Sequence, residues 1–396
     1  MEKICRRTYV LAILLLPIMF QYSIGIATVT WGDALLAFSA FLLVITNRQK
    51  LMLSKAMLVL SGLVLISLLI KQFARGSVPQ AILFTSLRYL FYLLAASLIP
   101  TVLGETDFAA KSYRLISLFV SVFLLLQVVA MMVFDTYLSG VILSFPLTDK
   151  SLHAYPALMQ TLKVKRYMSV FGEPAHFATY VLGYLVVHFS TYKKKSLYGF
   201  LIAVLISLSI VLSTSITGML ILAGLWLLWL FKGFSVKYVS RRKVIFIILL
   251  TIVILLLLSQ TEAVKYLLNR RVFEKQAAGR FIGFGYVIDY FKSASLLELL
   301  FGSGMDDIGH TVYLAGFPRM MFYFGIIGSF LFVITLAYMF YHGSDVNRKV
   351  ILVVVALSLG TEMVFSSFIL PYLLFVISVH GSFKLTIIRS ILGRTT

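Results

Sequence analysis

One cysteine, Cys5, is all that this chain of 396 residues contains, so no internal disulfide can form and the redox compartment leaves no trace in it. Charged residues are scarce at 13%, and acids scarcer still, with 15 Asp and Glu against 35 Lys and Arg. A hydrophobic content of 60% and a mean hydropathy of +0.99 leave too few polar groups to cover a soluble surface. A soluble globular protein is thereby excluded. The apolar runs take up so much of the chain that a large soluble domain is excluded too. No internal repeat is visible, so nothing points to the inverted halves common in transporters.

What the chain does have is long apolar runs separated by short polar segments. A span needs roughly 20 residues to cross about 30 Å of hydrocarbon, and spans are expected at about 8–27, 30–46, 52–70, 79–99, 113–134, 174–190, 197–213, 216–231, 244–259, 318–341, 350–366 and 368–383. The expected fold class is therefore an all-α polytopic membrane protein of about 12 transmembrane helices, a single integral membrane domain over 1–396. The N-terminal MEKICRRTYVLAILLLPIMF has the basic and apolar regions of a signal sequence, but GIATVTWGD is a poor cleavage site, so it reads as a retained first span. Near Pro371 the last two spans admit either a tight turn or one kinked element.

Basic residues set the orientation. With a cytoplasmic N-terminus, the inner segments hold 21 Lys and Arg against 13 in the outer ones, including Arg6, Arg7, Lys193 to Lys195 and Arg241 to Lys243. The positive-inside rule then puts both termini in the cytoplasm. Most of the +20 net charge is explained by topology and by attraction to anionic headgroups, so it is no sign of nucleic acid.

Two expected outer loops are long, about 135–173 and about 260–317, and long loops on a rigid scaffold commonly carry sites. The second is expected to be partly helical, because EAVKYLLNRRVFEK and GYVIDYFKSASLLELLF each place apolar residues on one face. Its basic residues Lys265, Arg270, Arg271, Lys275 and Arg280 suit phosphate oxygens, or else form a solvated face over ordinary lipid phosphates. Gly302 and Gly304 resemble a phosphate-binding turn, without the third glycine or preceding strand of a dinucleotide fingerprint. Asp306, Asp307 and His310 are a weak metal group. Arg88 and Glu362 fall within spans, where a charge is costly unless it faces protein or water; they can pair with each other, and a structural pair fits the pattern as well as a functional role does. His188 and His380 sit near inner span ends, at the interface.

The segment RYMSVFGEPAHFATYV concentrates Arg166, Glu173, Pro174 and His176 at the mouth of the sixth span. Pro174 suits the first turn of a helix, which puts the Glu173 carboxylate at the positive helix end, with His176 and Tyr180 one turn apart. Capping alone explains Glu173, but not the accompanying Arg166 and His176.

At these residues the chain resembles the Wzy-type polymerases of bacterial O-antigen, capsule and exopolysaccharide repeat units. The resemblance rests on RYMSVFGEPAHFATY and on GRFIGFGYVIDYF with the following LLFGSGM and FPRMMFYFGIIG. It implies a GT-C-like membrane glycosyltransferase of the bacterial cytoplasmic membrane with its active site facing outward. Such an enzyme transfers a growing glycan from undecaprenyl pyrophosphate to a lipid-linked repeat unit, with no metal or cofactor, alongside a chain-length regulator and a flippase. It implies Glu173 or His176 as the group that orients or deprotonates the attacking hydroxyl, and Arg280 and Arg319 as stabilisers of the leaving pyrophosphate. Arg166, Arg88, Arg270, Arg271 and His310 complete the candidate substrate contacts, although the spacing of His310 to Gly325 departs from the pattern of related ligases. An O-antigen ligase shares this architecture. A flippase or other transporter should instead concentrate charge along a midplane route.

Overall fold

The structure is a computed structural model that describes residues 1–25, 29–75, 80–148, 167–191, 197–233, 270–305, 314–361, 369, 372–373, 375–376 and 387–389. It is mostly helical. In chain order the helices are α1 (Glu2–Met19), α2 (Trp31–Thr46), α3 (Lys55–Arg75), α4 (Gln80–Ser97), α5 (Thr106–Phe134) and α6 (Pro174–Thr191). They continue with α7 (Leu197–Leu212), α8 (Ile216–Gly233), α9 (Arg270–Ser293), α10 (Leu296–Phe301), α11 (Gly316–His342) and α12 (Asp345–Gly360). A short antiparallel ribbon pairs β1 (Met52–Ser54) with β2 (Ile387–Arg389).

Two stretches, Ile99–Phe134 and Gly316–His342, are long and apolar enough to cross a membrane, and Trp31–Thr46, Ile82–Ser97, Leu197–Leu212 and Ile216–Trp229 are shorter apolar helices. Of the expected spans 8–27, 52–70, 174–190 and 350–366, the parts 8–19, 55–70, 174–190 and 350–360 are helical as well, in helices less uniformly apolar. Charged ends dilute α1, α3 and α12, while α6 carries two histidines. The expected spans 244–259 and 368–383 lie wholly or mostly outside the described residues.

Local chemistry sets the helix starts. Thr30 and Asp33 form a reciprocal capping box at α2, Ser295 and Glu298 another at α10, and the Ser344 hydroxyl accepts from the Asn347 amide at α12. Each capped start satisfies amides that have no partner within the helix.

The chain divides into two compact units, the first comprising Met1–Ile116, Leu143–Thr148 and Gly279–Thr396, and the second Ser117–Ile142 and Asp149–Ala278. In the first unit α1 packs on α2, α3 on α4, and α11 on α3, α10 and α12. Its core includes Tyr9, Ile13, Leu14 and Leu16 of α1, and the Tyr9 hydroxyl donates to the Ala95 carbonyl. At one end Arg7 pairs with Glu105 at 2.9 Å, Lys50 with Glu2 at 3.3 Å, and Arg6 Nε donates to Asn47 Oδ1 at 2.9 Å. Elsewhere in the unit, the Ser23 amide donates to the Pro146 carbonyl at 2.7 Å and the Thr148 amide to the Gln21 carbonyl at 2.9 Å. In the second unit α6 packs against α7 and α8, burying Phe177, Tyr180, Val181 and Leu182. His188 lies in the last turn of α6, and its Nε2 is 2.9 Å from the carbonyl oxygen of Gly199 in α7.

Exposed apolar residues follow helical spacing. Leu115, Phe119, Val122, Leu126 and Val129 form such a stripe on α5, and Phe330, Val333 and Ile334 lie exposed on α11. In water a stripe of this length would drive association; against lipid it is the expected surface.

Candidate functional site

The residues around Glu173 are held by a polar clamp inside an apolar helix. Gln127 of α5 is fully buried, and its side chain bridges two separate segments. Its Nε2 donates to the Leu138 carbonyl at 2.9 Å and to the Ser169 carbonyl at 3.2 Å, while its Oε1 accepts from the Ser169 amide at 2.9 Å. The Ser169 hydroxyl donates to the Val120 carbonyl at 2.6 Å. One side chain thus meets both backbone groups of Ser169, as a neighbouring strand would.

Ser169 needs that support, because its φ of +56° lies in the left-handed region. It occupies the second position of a turn closed by the Phe171 amide on the Met168 carbonyl at 3.1 Å, a place that glycine usually fills when φ is positive. For serine the conformation costs about 1–2 kcal/mol. Hydrogen bonds worth roughly 0.5–1.5 kcal/mol each offset it. Gly140 closes the clamp from the other side, since a Cβ there would fall 2.1 Å from the Ser169 carbonyl oxygen. Non-glycine residues held this way concentrate at functional sites.

The chain leaves this turn through Phe171, which packs on Phe177 and Tyr180 with ring centroids 6.0 and 5.4 Å apart, and enters α6 at Pro174. The Phe177 amide donates to the Glu173 carbonyl at 3.3 Å, so Glu173 is the residue at the head of the helix, as expected from its proline neighbour. Glu173 and His176 are both half-buried. The helix dipole favours a carboxylate at that position. Six residues before Glu173, burial holds the Tyr167 phenol above its ordinary range, and burial together with Tyr167 pushes Tyr137 up to about 12. Arg166 lies outside the described residues.

In the first unit, Arg88 is occupied by Asp33, with Nη2 to Oδ2 at 3.1 Å. The same Oδ2 accepts from the Thr30 amide at 2.8 Å, and the Tyr92 hydroxyl donates to Oδ1. The Arg88 guanidinium also stands over the Phe20 ring at 5.6 Å. The partner is thus a helix-capping aspartate of α2; Glu362, considered for that place from the sequence, lies outside the described residues. The contacts of Arg88 with Asp33 and Phe20 are structural ones, which favours a structural pair over a substrate contact.

The glycine pair also resolves differently from expectation. Gly302 and Gly304 have φ of +81° and +76°, but the amides of Gly302, Ser303 and Gly304 donate to the carbonyls of Glu298, Phe322 and Tyr323 at 2.7, 2.7 and 3.1 Å. No amide of this turn is left to cradle a phosphate. The turn mends a break in α11: Gly325, at φ +61° and ψ −163°, interrupts the helix and takes the helical partners from Phe322 and Tyr323. In a membrane such freed carbonyls must be met by protein. The approach is backbone to backbone, since a Cβ on Gly302 would lie 2.4 Å from the Tyr323 carbonyl carbon.

Beside this turn Lys71 is only 6% exposed and shares a cavity with Ser67, Ser86, Gly304 and Phe324. The space open to water there is about 10 Å³, room for one water and too small for a sugar or a pyrophosphate. Arg319, in the first turn of α11, is half-buried with its guanidinium 5.9 Å from the Tyr323 ring centroid, near the outer limit for a cation–π contact. Arg270, Arg271 and Arg280 are placed on α9 by their backbone, and His310, Asp306 and Asp307 lie outside the described residues. Among the described residues no group of three His, Cys, Asp or Glu side chains is arranged to hold a metal.

The structure thus brings Glu173 and His176 onto the first turn of one helix in the second unit, whereas Arg88 and Arg319 belong to the first. Sequence reasoning passed over Gln127 and Asp33. Each is a polar residue within or at the start of an apolar run, FLLLQVVAMM for Gln127 and TWGDALLAF for Asp33, which was the available signal. Comparison with family models, with curated proteins and with solved structures finds no match for this chain.

Proposed function

We propose that the protein is a membrane glycosyltransferase that polymerises undecaprenyl-pyrophosphate-linked repeat units at the outer face of the bacterial cytoplasmic membrane, as Wzy-type polymerases do. The observation that carries the reading is the Glu173 head of α6. A half-buried carboxylate follows a strained serine turn, and a buried glutamine locks that turn. A simple helix cap needs no such lock. A carboxylate that must meet a sugar hydroxyl at a fixed distance and angle does.

The contacts of the first unit support the orientation. Arg6, Arg7, Asn47, Lys50, Glu105 and the β1–β2 ribbon come from segments that the charge partition assigns to the cytoplasm, and they meet one another. Gln21 and Ser23, near the outer end of the expected first span, meet Pro146 and Thr148 of the expected outer loop. In this reading Glu173 or His176 orients the acceptor hydroxyl and takes its proton as the new glycosidic bond forms. Undecaprenyl pyrophosphate leaves, its charge met by the arginines that the resemblance implies. A ligase would use the same parts on a different acceptor, and a flippase would need none of them in a fixed geometry.

The test is conversion of purified undecaprenyl-pyrophosphate repeat unit to longer glycans by the protein in nanodiscs. Glu173→Gln should lower the rate by about 10² to 10⁴, the range usual for acid–base groups. A folded Glu173→Gln protein working at the parental rate would remove the carboxylate from the chemistry. Transport of intact lipid-linked units without elongation would favour the flippase.

A further inference from the structure

Gln127 lies about two turns from the C-terminal end of α5, and its amide makes three hydrogen bonds to two other segments of the chain. A glutamine buried in an apolar helix is costly unless both N–H donors and the carbonyl oxygen of its amide find partners, and here all three do so outside its own helix. Here both ends of the amide are spent on a single residue, Ser169, four positions before Glu173. The third bond ties in Leu138, which carries the segment that includes Gly140.

We infer that Gln127 is a positioning residue for Glu173, acting through the left-handed turn at Ser169. This rests on the reading of Glu173 given above. The path is short and physical. Gln127 holds the Ser169 amide and carbonyl, the turn fixes where Phe171 leaves, and Phe171 docks on Phe177 and Tyr180 of the helix that Glu173 heads. Without the amide, Ser169 relaxes toward a negative φ, and the direction of the chain into Pro174 changes. Because a small misplacement of a reacting group lowers rates strongly, the effect should fall on turnover and leave substrate binding in place.

The experiment uses the full chain in nanodiscs, with hydrogen exchange of amides 169 to 171 measured beside kcat and KM on the undecaprenyl-pyrophosphate repeat unit. Gln127→Leu should speed exchange at Ser169 and lower kcat 10- to 100-fold, with KM changed less than threefold. Ser169→Gly supplies the decisive second arm, since glycine adopts the left-handed turn unaided. In the Gln127→Leu background it should recover at least fivefold of the lost kcat. A purely structural role for Gln127 would not give that recovery. If Gln127→Leu does not insert, Gln127→Met, which keeps the unbranched shape and also lacks the amide, should show the same split. Parental kcat in any folded Gln127 variant with fast exchange, or no recovery on adding Ser169→Gly, overturns the inference. A parental rate for Glu173→Gln overturns instead the reading on which it rests, and the exchange results keep the two failures apart.

Discussion

Replacing Arg88 with methionine separates a structural charge from a substrate contact. Arg88 and Asp33 face each other at 3.1 Å with side chains only 21% and 11% exposed, so loss of the guanidinium leaves a nearly buried carboxylate. That carboxylate keeps two donors, the Thr30 amide and the Tyr92 hydroxyl, but no opposite charge among the described residues. Breaking a buried pair in this way costs about 3–5 kcal/mol. Asp33→Asn removes the carboxylate that Arg88 faces, although an amide oxygen can still cap α2 and an amide nitrogen can still meet Tyr92. The double variant removes both charges. Its loss should fall short of the sum of the single losses by about 1–3 kcal/mol, the usual coupling of groups in contact. The assay is denaturant unfolding of the three purified variants in micelles, followed by tryptophan fluorescence, with polymerisation measured in parallel. Additive losses would refute the pairing argument. An Arg88→Met protein of parental stability but without activity would return Arg88 to the substrate site.

Two further outcomes follow from the geometry. Gly302→Ala should cost at least 2–5 kcal/mol, combining a left-handed alanine with a Cβ 2.4 Å from the Tyr323 backbone. Gly304→Ala should be milder, because the nearest atom is the flexible Lys71 Cδ at 3.0 Å; thermal melting of the two variants checks the order, and equal losses would contradict it. Tyr137, pushed up to about 12 by burial and by Tyr167, keeps its proton in the folded protein after the unfolded chain has begun to lose it near the ordinary value of about 10. Its contribution to stability is therefore full below about pH 10 and is lost as the pH rises through about 12. Tyr137→Phe should flatten that alkaline loss in a pH series of unfolding midpoints, and an unchanged slope would show that the phenol is not the group responsible.

The helical character of the chain and the identity of its apolar segments were legible in the sequence, because lipid admits little other than self-satisfied helices and hydropathy reads them directly. So was the start of α6, since Pro174 has no amide proton to lose and its φ is already helical. The break in α11 was not legible as a break. Gly325 stands in FYFGIIG like any glycine in an apolar run, and only the packing of the 302–304 turn against it shows that its neighbours' carbonyls have been handed to another segment. Arg88 was visible as a charge out of place, but its partner was not. A helix cap and the partner of a charge in an apolar run look unrelated along the chain, and Asp33 is both. Gln127 and Ser169 lie 42 residues apart, and neither is unusual alone. Hydropathy and turn propensity are properties of neighbours in sequence. The satisfaction of buried polar groups is settled among neighbours in space, and that is why the tertiary structure alone decided what holds Glu173 in place.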